Sequence, residues 1–405
     1  MQVSSLPYVL KRAGITCFIL VLSLLLAAAR SQAQSTGSIQ GSVTDPTGAA
    51  IPDAVVTVTN QETGEKRVIK SDSAGLYSVP SLPPGMYKIQ VELHGFQTVV
   101  ADNLRLEVSS TVTQDFSLKV ASSSQVLEVT AAPPPIERAS VSVGQVIDNR
   151  TVQNIPLNGR HFTDLGLLVA GTVTPPANGF LTAPLRGQGS FAINTAGARE
   201  DTVNILVNGI NLNDIAQNQL TFQPSINTVD EFKLDNSTYP AEYGRNSGAI
   251  LNISTRAGGN TVHGELFEYF RNSALDARNY FNPTPILQSP FRRNNFGASA
   301  GGPFWKNHTF FFFSYEGLRQ RQGLTINQTV LNPSQRAQAA TSDPAIRNLV
   351  TLIPAVNAPQ DKFIGSAIAP VNIDQGTANI SHEFSANDRV NGYFALQRDL
   401  RQEPT

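Results

Sequence analysis

Cysteine is nearly missing from this chain. The single one, Cys17, lies inside an apolar run from Ile15 to Ala29 that follows Lys11 and Arg12 and precedes Ser31 and Ala33. Basic residues, a short apolar stretch and small residues at that spacing read as a secretory signal over residues 1–33, with a single-helix anchor as the alternative reading. The residues around Cys17, "ITCF", do not read as a lipoprotein cleavage box. The exported chain then holds no cysteine at all, which excludes disulfides and thiolate metal sites. A large cysteine-free export product fits a bacterial envelope better than the disulfide-stapled secreted domains of animals.

Charge is scarce too. Charged residues make up 15% of the chain, against roughly 25% in an average soluble protein. A net charge of -1 gives no electrostatic footprint for nucleic acid. Beyond Ala33 no apolar run approaches the roughly 20 residues of a membrane-spanning helix, so entry into a membrane has to be by strands. The histidines His94, His161, His263, His308 and His382 have no partner at H-x-x-E or H-x-x-x-H spacing, so no metal site and no cofactor is expected. No P-loop or G-x-S-x-G follows a strand, and Gly187-x-Gly189 reads as a loop, not a nucleotide fingerprint. The chain is not expected to be an enzyme.

Turn formers are plentiful, with 30 Gly and 25 Pro in 405 residues, while long helical periodicity is hard to find. The fold class expected is mainly β, in two to four domains. From Gly37 to Leu118, short alternating runs such as "AVVTVTN" and "GMYKIQVEL" are punctuated at Asp45-Pro46, Glu62-Thr63-Gly64 and Pro83-Pro84-Gly85. That pattern predicts a small antiparallel β-sandwich. Gly41, Pro52, Ala54, Val56, Asp72, Gly75, Tyr77, Leu82, Gly85 and Tyr87 fall where the carboxypeptidase-regulatory-like domain has its pattern. Residues 34–120 resemble that domain, which implies a non-catalytic seven-stranded sandwich.

A linker over 121–136 follows, with Ser122 to Ser124 at one end and Pro133 to Pro135 at the other. Between them Val126, Leu127, Glu128, Val129, Thr130 and Ala131 resemble the TonB box of outer-membrane transporters, an extended segment able to add a strand to a partner's sheet. The same six residues read equally as the last strand of the sandwich. Residues 137–259 are mixed α/β: Leu165, Leu168 and Val169 suit a short helix ending at Gly171, and "TVNILVNGI", "TVDEFKLD" and "GAILNISTR" read as strands. Leu185-Arg186-Gly187, "NILVNGINLND" and "VDEFKLDNSTYPAEYGRNSGAILNISTRAG" resemble the plug domain of TonB-dependent receptors. Asn208 stands where a plug commonly has Asp, and Asn-Gly makes the same tight turn.

After Gly259 the strands lengthen. "GELFEYFRN" and "FGASAGGPFWKNHTFFFFSYEG" are similar to the opening barrel strands of Oar-like receptors, so residues 260–405 are expected to be barrel strands. A spanning strand alternates lipid-facing and lumen-facing residues over about 9 to 11 positions. On that parity Phe311, Phe313 and Tyr315 face lipid, Phe310 and Phe312 face the lumen, and "PFWKN" is a periplasmic turn with Trp305 at the interface. About 145 residues leave room for about six strands, whereas a barrel that houses a plug has about 22. The sequence is therefore expected to be a fragment or a truncated gene product, with an incomplete transmembrane barrel.

Together these resemblances imply a TonB-dependent receptor of the Oar-like branch, in the outer membrane of a Gram-negative-type bacterium, with sandwich and plug on the periplasmic side. They imply active uptake of a carbohydrate, siderophore, peptide or cobalamin ligand, energised by TonB of the inner-membrane complex. Under that reading Val126 to Ala131 couple to TonB, and Arg186, Arg199, Glu231 and Arg245 are candidates for polar plug-to-barrel contacts. The alternatives are a surface adhesion or carbohydrate-binding protein built on the sandwich, and a truncated remnant without function.

Overall fold

A computed structural model describes residues 35–402 apart from 121–126, 131–141, 158, 174–192, 200–201, 216–217, 219, 245, 278–289 and 387. The expected signal segment lies outside the described residues. Strands dominate, and among the described residues no helix is long and apolar enough to cross a membrane.

Period-two alternation builds the first domain. In β1 (Gly37–Thr44) Ile39 and Val43 point inward while Ser38, Gln40 and Ser42 point out. The same rule buries Val56 and Val58 of β2 (Val55–Asn60). After β3 (Lys66–Lys70) it buries Tyr77, Val79 and Leu82 of β4 (Leu76–Leu82), then Tyr87, Ile89 and Val91 of β5 (Gly85–Glu92). β6 (Val99–Leu106), β7 (Thr111–Thr113), β8 (Phe116–Ser117) and β9 (Leu127–Thr130) complete two sheets. One has the order β4-β1-β7 with β8 also on β1, the other β3-β2-β5-β6-β9. They enclose one core, in which each fully buried aliphatic side chain contributes about 1.5–3 kcal/mol. The two core tyrosines satisfy their hydroxyls on backbone, Tyr77 on the Gln114 carbonyl at 2.6 Å and Tyr87 on that of Pro83 at 2.7 Å.

The middle domain is a mixed sheet with short helical pieces. β10 (Val143–Ile147) leads into α1 (Asn149–Asn154), whose N-cap Asp148 accepts from the Thr151 amide at 3.0 Å. The helix expected near Leu165 is a 3-10 helix, Phe162–Leu168, that buries Phe162 and Leu165 and leaves Leu168 exposed where the chain turns at Val169. β11 (Thr172–Val173) and β12 (Asn194–Thr195) pair with each other. β13 (Asn204–Val207), β14 (Ile210–Asn211), β15 (Val229–Ser237) and β16 (Ile250–Thr255) join β10 in the order β10-β15-β16-β13-β14, with only β13 and β16 parallel. Asn208 and Gly209 sit at φ 49° and 81° in a two-residue turn that pairs Val207 with Ile210, so the Asn-Gly reading holds.

The last domain is one antiparallel sheet of consecutive strands: β17 (His263–Asn272), β18 (Phe291–Trp305), β19 (Thr309–Thr329), β20 (Lys362–Glu383) and β21 (Arg389–Arg401). It has five strands among the described residues, fewer than the six expected, because β18, β19 and β20 run for 15, 21 and 22 residues and because the β19–β20 connection carries α2 (Pro333–Ala340) and α3 (Pro344–Leu352). Short turns at 306–308 and 384–388 lie at one end and long connections at the other, the arrangement of outer-membrane barrels with short periplasmic turns.

Parity in β19 follows expectation. Phe310 and Phe312 are each 1% exposed, whereas Phe313 and Tyr315 are 40% and 43% exposed. Outward neighbours in register extend the apolar face to Leu266, Ile380, Phe394 and Leu396. The inward face above Phe312 is polar, with Ser299, Ser314, Thr377 and Gln375 buried. Outward charge begins at Arg319, which holds Asp374 at 2.5 Å. From the 306–308 turn to that point is a rise of about 25 Å for a tilted strand, the height of a lipid-facing band.

Candidate functional site

Leu127–Thr130 of the box-like segment are β9, and they lie parallel to β6 on the sandwich, with Leu127, Glu128, Val129 and Thr130 opposite Val99, Val100, Ala101 and Asp102. Val126 and Ala131 lie outside the described residues. Among the described residues β9 is the edge of its sheet, bonded along one side to β6.

The same β6 reaches the middle domain. Arg105 donates to the Glu231 carboxylate on β15, and the second Glu231 oxygen accepts from the Val108 amide at 2.9 Å. Two residues along β15, Lys233 donates to the Ser109 carbonyl at 3.0 Å, and Tyr243 donates to the Ser109 hydroxyl at 3.3 Å. The β6–β7 turn is thus seated on β15 by charge-assisted hydrogen bonds. Glu231 is 2% exposed. Its carboxyl is pushed up to about 7, chiefly by desolvation and further by Asp230, against the opposing pull of Arg105. Glu231 was expected to face the barrel; it faces the sandwich instead, because alternation along β15 turns Glu231 and Lys233 together toward the β6–β7 turn.

The sandwich also rests on the short-turn end of the barrel sheet. Asn260 donates its backbone amide to the Glu62 carbonyl at 2.9 Å and its side-chain amide to that of Thr63 at 2.7 Å, and accepts from the Asn307 amide at 2.9 Å. Arg389 lies 3.7 Å from Glu65.

Against the barrel strands the middle domain uses Gly258, which falls in the plug-like block of the sequence, and several residues that composition and motif did not single out. The Arg160 guanidinium stacks over Tyr269 at 4.0 Å and Phe267 at 5.1 Å. Arg256 pairs with Glu265 at 3.6 Å and covers the Phe312 ring at 5.2 Å. Ser225 bonds Glu316, and Gln375 donates to the Gln223 carbonyl at 2.6 Å. Gly258 lies directly on the β18–β19 backbone: a Cβ there meets the Phe311 carbonyl oxygen at 2.3 Å and that of Gly302 at 2.8 Å. His161 is held neutral, its imidazole pushed down to about 3 by desolvation first and by the Arg293 guanidinium second. Of the expected plug-to-barrel residues, Arg186 and Arg245 lie outside the described residues, and Arg199 is exposed, its carbonyl accepting from Thr202. Arginines at a domain junction look like surface arginines until the fold places aromatic rings beneath them, and nothing in the sequence alone marked Arg160 and Arg256.

Two cavities follow from this packing. One of about 510 Å³ opens between all three domains, among Glu62, Asn149, Asp230, Arg256, His263 and Arg389. The other, about 80 Å³, lies between the middle domain and the barrel, among Arg160, His161, Ser225, Arg293, Glu316 and Gln320. The second has Leu318, Val371 and Ile373 in its wall beside the charged groups, and among the described residues no group of three or more acidic, histidine or cysteine side chains is arranged to hold a metal.

Residues 38–119 match the carboxypeptidase regulatory-like domain, and residues 254–342 match an outer membrane beta barrel domain. The TonB-dependent transporter Oar of Myxococcus xanthus is 25% identical over 290 residues, covering 68% of this chain and 26% of the relative's length. Among solved structures, the outer membrane transporter YddB from Escherichia coli superposes with a TM-score of 0.40 at 14% identity, over 60% of this chain and 31% of that one. The siderophore receptor PirA from Acinetobacter baumannii gives 0.33 at 13%, over 65% and 45%. A regulatory-like sandwich ahead of outer-membrane barrel strands defines the class: this is a β-barrel protein of the outer membrane. Within that class the chain is a homologue of the TonB-dependent transporter Oar, spanning about a quarter of its length.

Proposed function

We propose that this chain supplies the sandwich, plug and first barrel strands of a transporter that takes up its ligand across the outer membrane by TonB-driven work. In this reading residues 137–259 act as the plug and Leu127–Thr130, with Val126 and Ala131 at either end, are the segment that TonB pairs with. The observation that carries the reading is the seating of the middle domain on the polar inner face of the barrel strands, through Arg160, Ser225, Arg256 and Gly258, while the box-like strand sits at the short-turn end with the sandwich. Ligand held at the far end of the plug would act on the seating, and pull from the periplasm would act through the box.

The test is a cysteine at Glu128 cross-linked in cells to TonB's periplasmic domain, with and without Val129→Pro. Proline removes the amide that an added strand needs, so the cross-link is expected to disappear at normal surface expression. A cross-link of undiminished yield in the proline variant overturns the assignment.

A further inference from the structure

On the outward face of the barrel sheet, away from the middle domain, the alternation of β18 and β19 ends in arginine. Arg292 and Arg321 are partners in register, directly opposite each other across the ladder, and both are exposed. Like charges so placed repel and destabilise a sheet. Arg319, two positions nearer the lipid band, has its charge answered by Asp374 and lies 5.7 Å over the Phe296 ring. Arg292 and Arg321 have no carboxylate partner among the described residues. One nitrogen of Arg321, Nη1, donates to the Asn372 side-chain oxygen at 2.9 Å and to the Gln320 carbonyl at 2.8 Å, and its other two nitrogens are left over. Across the three outward rows at this level, Arg292, Arg319, Arg321 and Arg398 stand against Glu268 and Asp374, four positive groups to two negative. The level is about 25 Å from the short turns, at the end with the long connections, which is the outer rim of the bilayer. Exposed apolar side chains, Phe313, Tyr315 and Leu396, lie below it. Both β18 and β19 have a strand on either side, so this face is fully formed.

We propose that Arg292 and Arg321 bind the phosphate of an anionic lipid in the outer leaflet, whose acyl chains cover the apolar face below. A phosphate between the two guanidiniums converts their repulsion into charge-assisted hydrogen bonds, and the planar fork of arginine fits phosphate oxygens in pairs. Asn372, whose oxygen is taken by Arg321, keeps its NH2 group as a further donor beside them. The apolar surface decides the source of the phosphate. A free ion in water gains only the screened attraction of exposed cations. A lipid anchored on Phe313, Tyr315 and Leu396 holds its headgroup at the arginines at high effective concentration. The site is independent of TonB and of what is transported, because it lies on the face of the sheet opposite the middle domain.

The full chain in neutral detergent is titrated with diphosphorylated lipid A, with the same lipid stripped of its phosphates, and with inorganic phosphate alone, and bound ligand is counted by native mass spectrometry. The phosphorylated lipid is expected to bind about 30-fold more tightly than the stripped one, about fivefold for each arginine. Arg292→Gln and Arg321→Gln should each lose about fivefold, and the double variant should lose the preference. Lys70→Gln, which removes an exposed cation from the sandwich strand β3, should change nothing. In the absence of phosphorylated lipid the double variant is expected to be at least as stable to heat as the parent, because the opposed charges are gone. Lower stability there contradicts the premise of opposed charges and overturns the site. Equal binding of the two lipids overturns it as well, and so does a double variant that keeps the preference. Inorganic phosphate that binds as tightly as the phosphorylated lipid overturns the assignment to a lipid.

Discussion

Arg105 of the sandwich donates into the carboxylate of Glu231 in the middle domain, across 126 positions of sequence. One partner is half in solvent and the other is 2% exposed. The pair ties β6, on which the box-like segment lies, to β15 of the middle domain, so the two domains share a joint built on a single buried carboxyl.

That carboxyl makes the joint pH-dependent. Its folded-state value of about 7 lies above its ordinary 4.5, so the stability it lends is fully present below 4.5 and is lost as pH rises through about 7. The whole span is on the order of 3 kcal/mol. Amide exchange at Val108 in the detergent-solubilised chain, corrected for intrinsic rate, is expected to be slower at pH 5 than at pH 8. Glu231→Gln keeps an acceptor for Val108 and has no titration, so the difference between the two pH values should vanish.

His161 responds in the opposite direction. Its imidazole is depressed from 6.5 to about 3, so the stability it lends is fully present above 6.5 and is lost as pH falls through about 3. The NMR signals of a labelled His161 ring are therefore expected to stay those of neutral imidazole at pH 5. Arg293→Gln removes the nearby cation and should raise the midpoint, while desolvation keeps it below 6.5.

The antiparallel pairings β2–β3, β2–β5 and β5–β6 of the sandwich were legible, because alternation and turn residues act within a few positions of each other. The parallel pairings of β7 and β8 with β1 and of β9 with β6 depart from the all-antiparallel, seven-stranded expectation. Val56, Val58, Tyr77 and Tyr87 all point where period two sends them. The division of Phe310 to Phe313 was legible for the same reason. What was not legible depends on contacts between domains: Glu231 turned to the sandwich and not to the barrel, and Arg160 found aromatic rings more than a hundred residues away. Strand length also escaped, since polar residues beyond the lipid band continue β19 and β20 as readily as they end them. The box-like segment read equally as a transporter motif and as a sandwich strand, and Leu127–Thr130 pair with β6 as a strand of the sandwich.

Gly258 is the tightest point of the seating on the barrel. Any side chain meets the Phe311 and Gly302 carbonyls, which are fixed by the β18–β19 ladder and cannot yield. Gly258→Val is expected to cost about 1–3 kcal/mol through overpacking. Limited proteolysis in outer-membrane vesicles checks this: cleavage between the middle domain and β17 should accelerate, while the sandwich fragment remains resistant.

The two faces of β19 predict unequal costs for the same truncation. Phe312 is 1% exposed, beneath Arg256 and beside the His263 ring at 6.2 Å, so Phe312→Ala leaves a cavity between the middle domain and the barrel strands that rigid strands cannot collapse. That costs about 3–5 kcal/mol. Phe313 is 40% exposed on the outward face; there lipid tails replace the lost contacts, and Phe313→Ala costs about 1 kcal/mol, a few of the dispersion contacts of one ring. Arginine reverses part of the ordering by making the lipid face expensive: Phe313→Arg is expected to cost about 2–4 kcal/mol near the bilayer midplane. Trp305, the only tryptophan of the chain, lies at the short-turn end of β18 and reports unfolding by its fluorescence in a guanidinium titration of vesicle-embedded protein. Equal midpoints for Phe312→Ala and Phe313→Ala would contradict the assignment of the two faces.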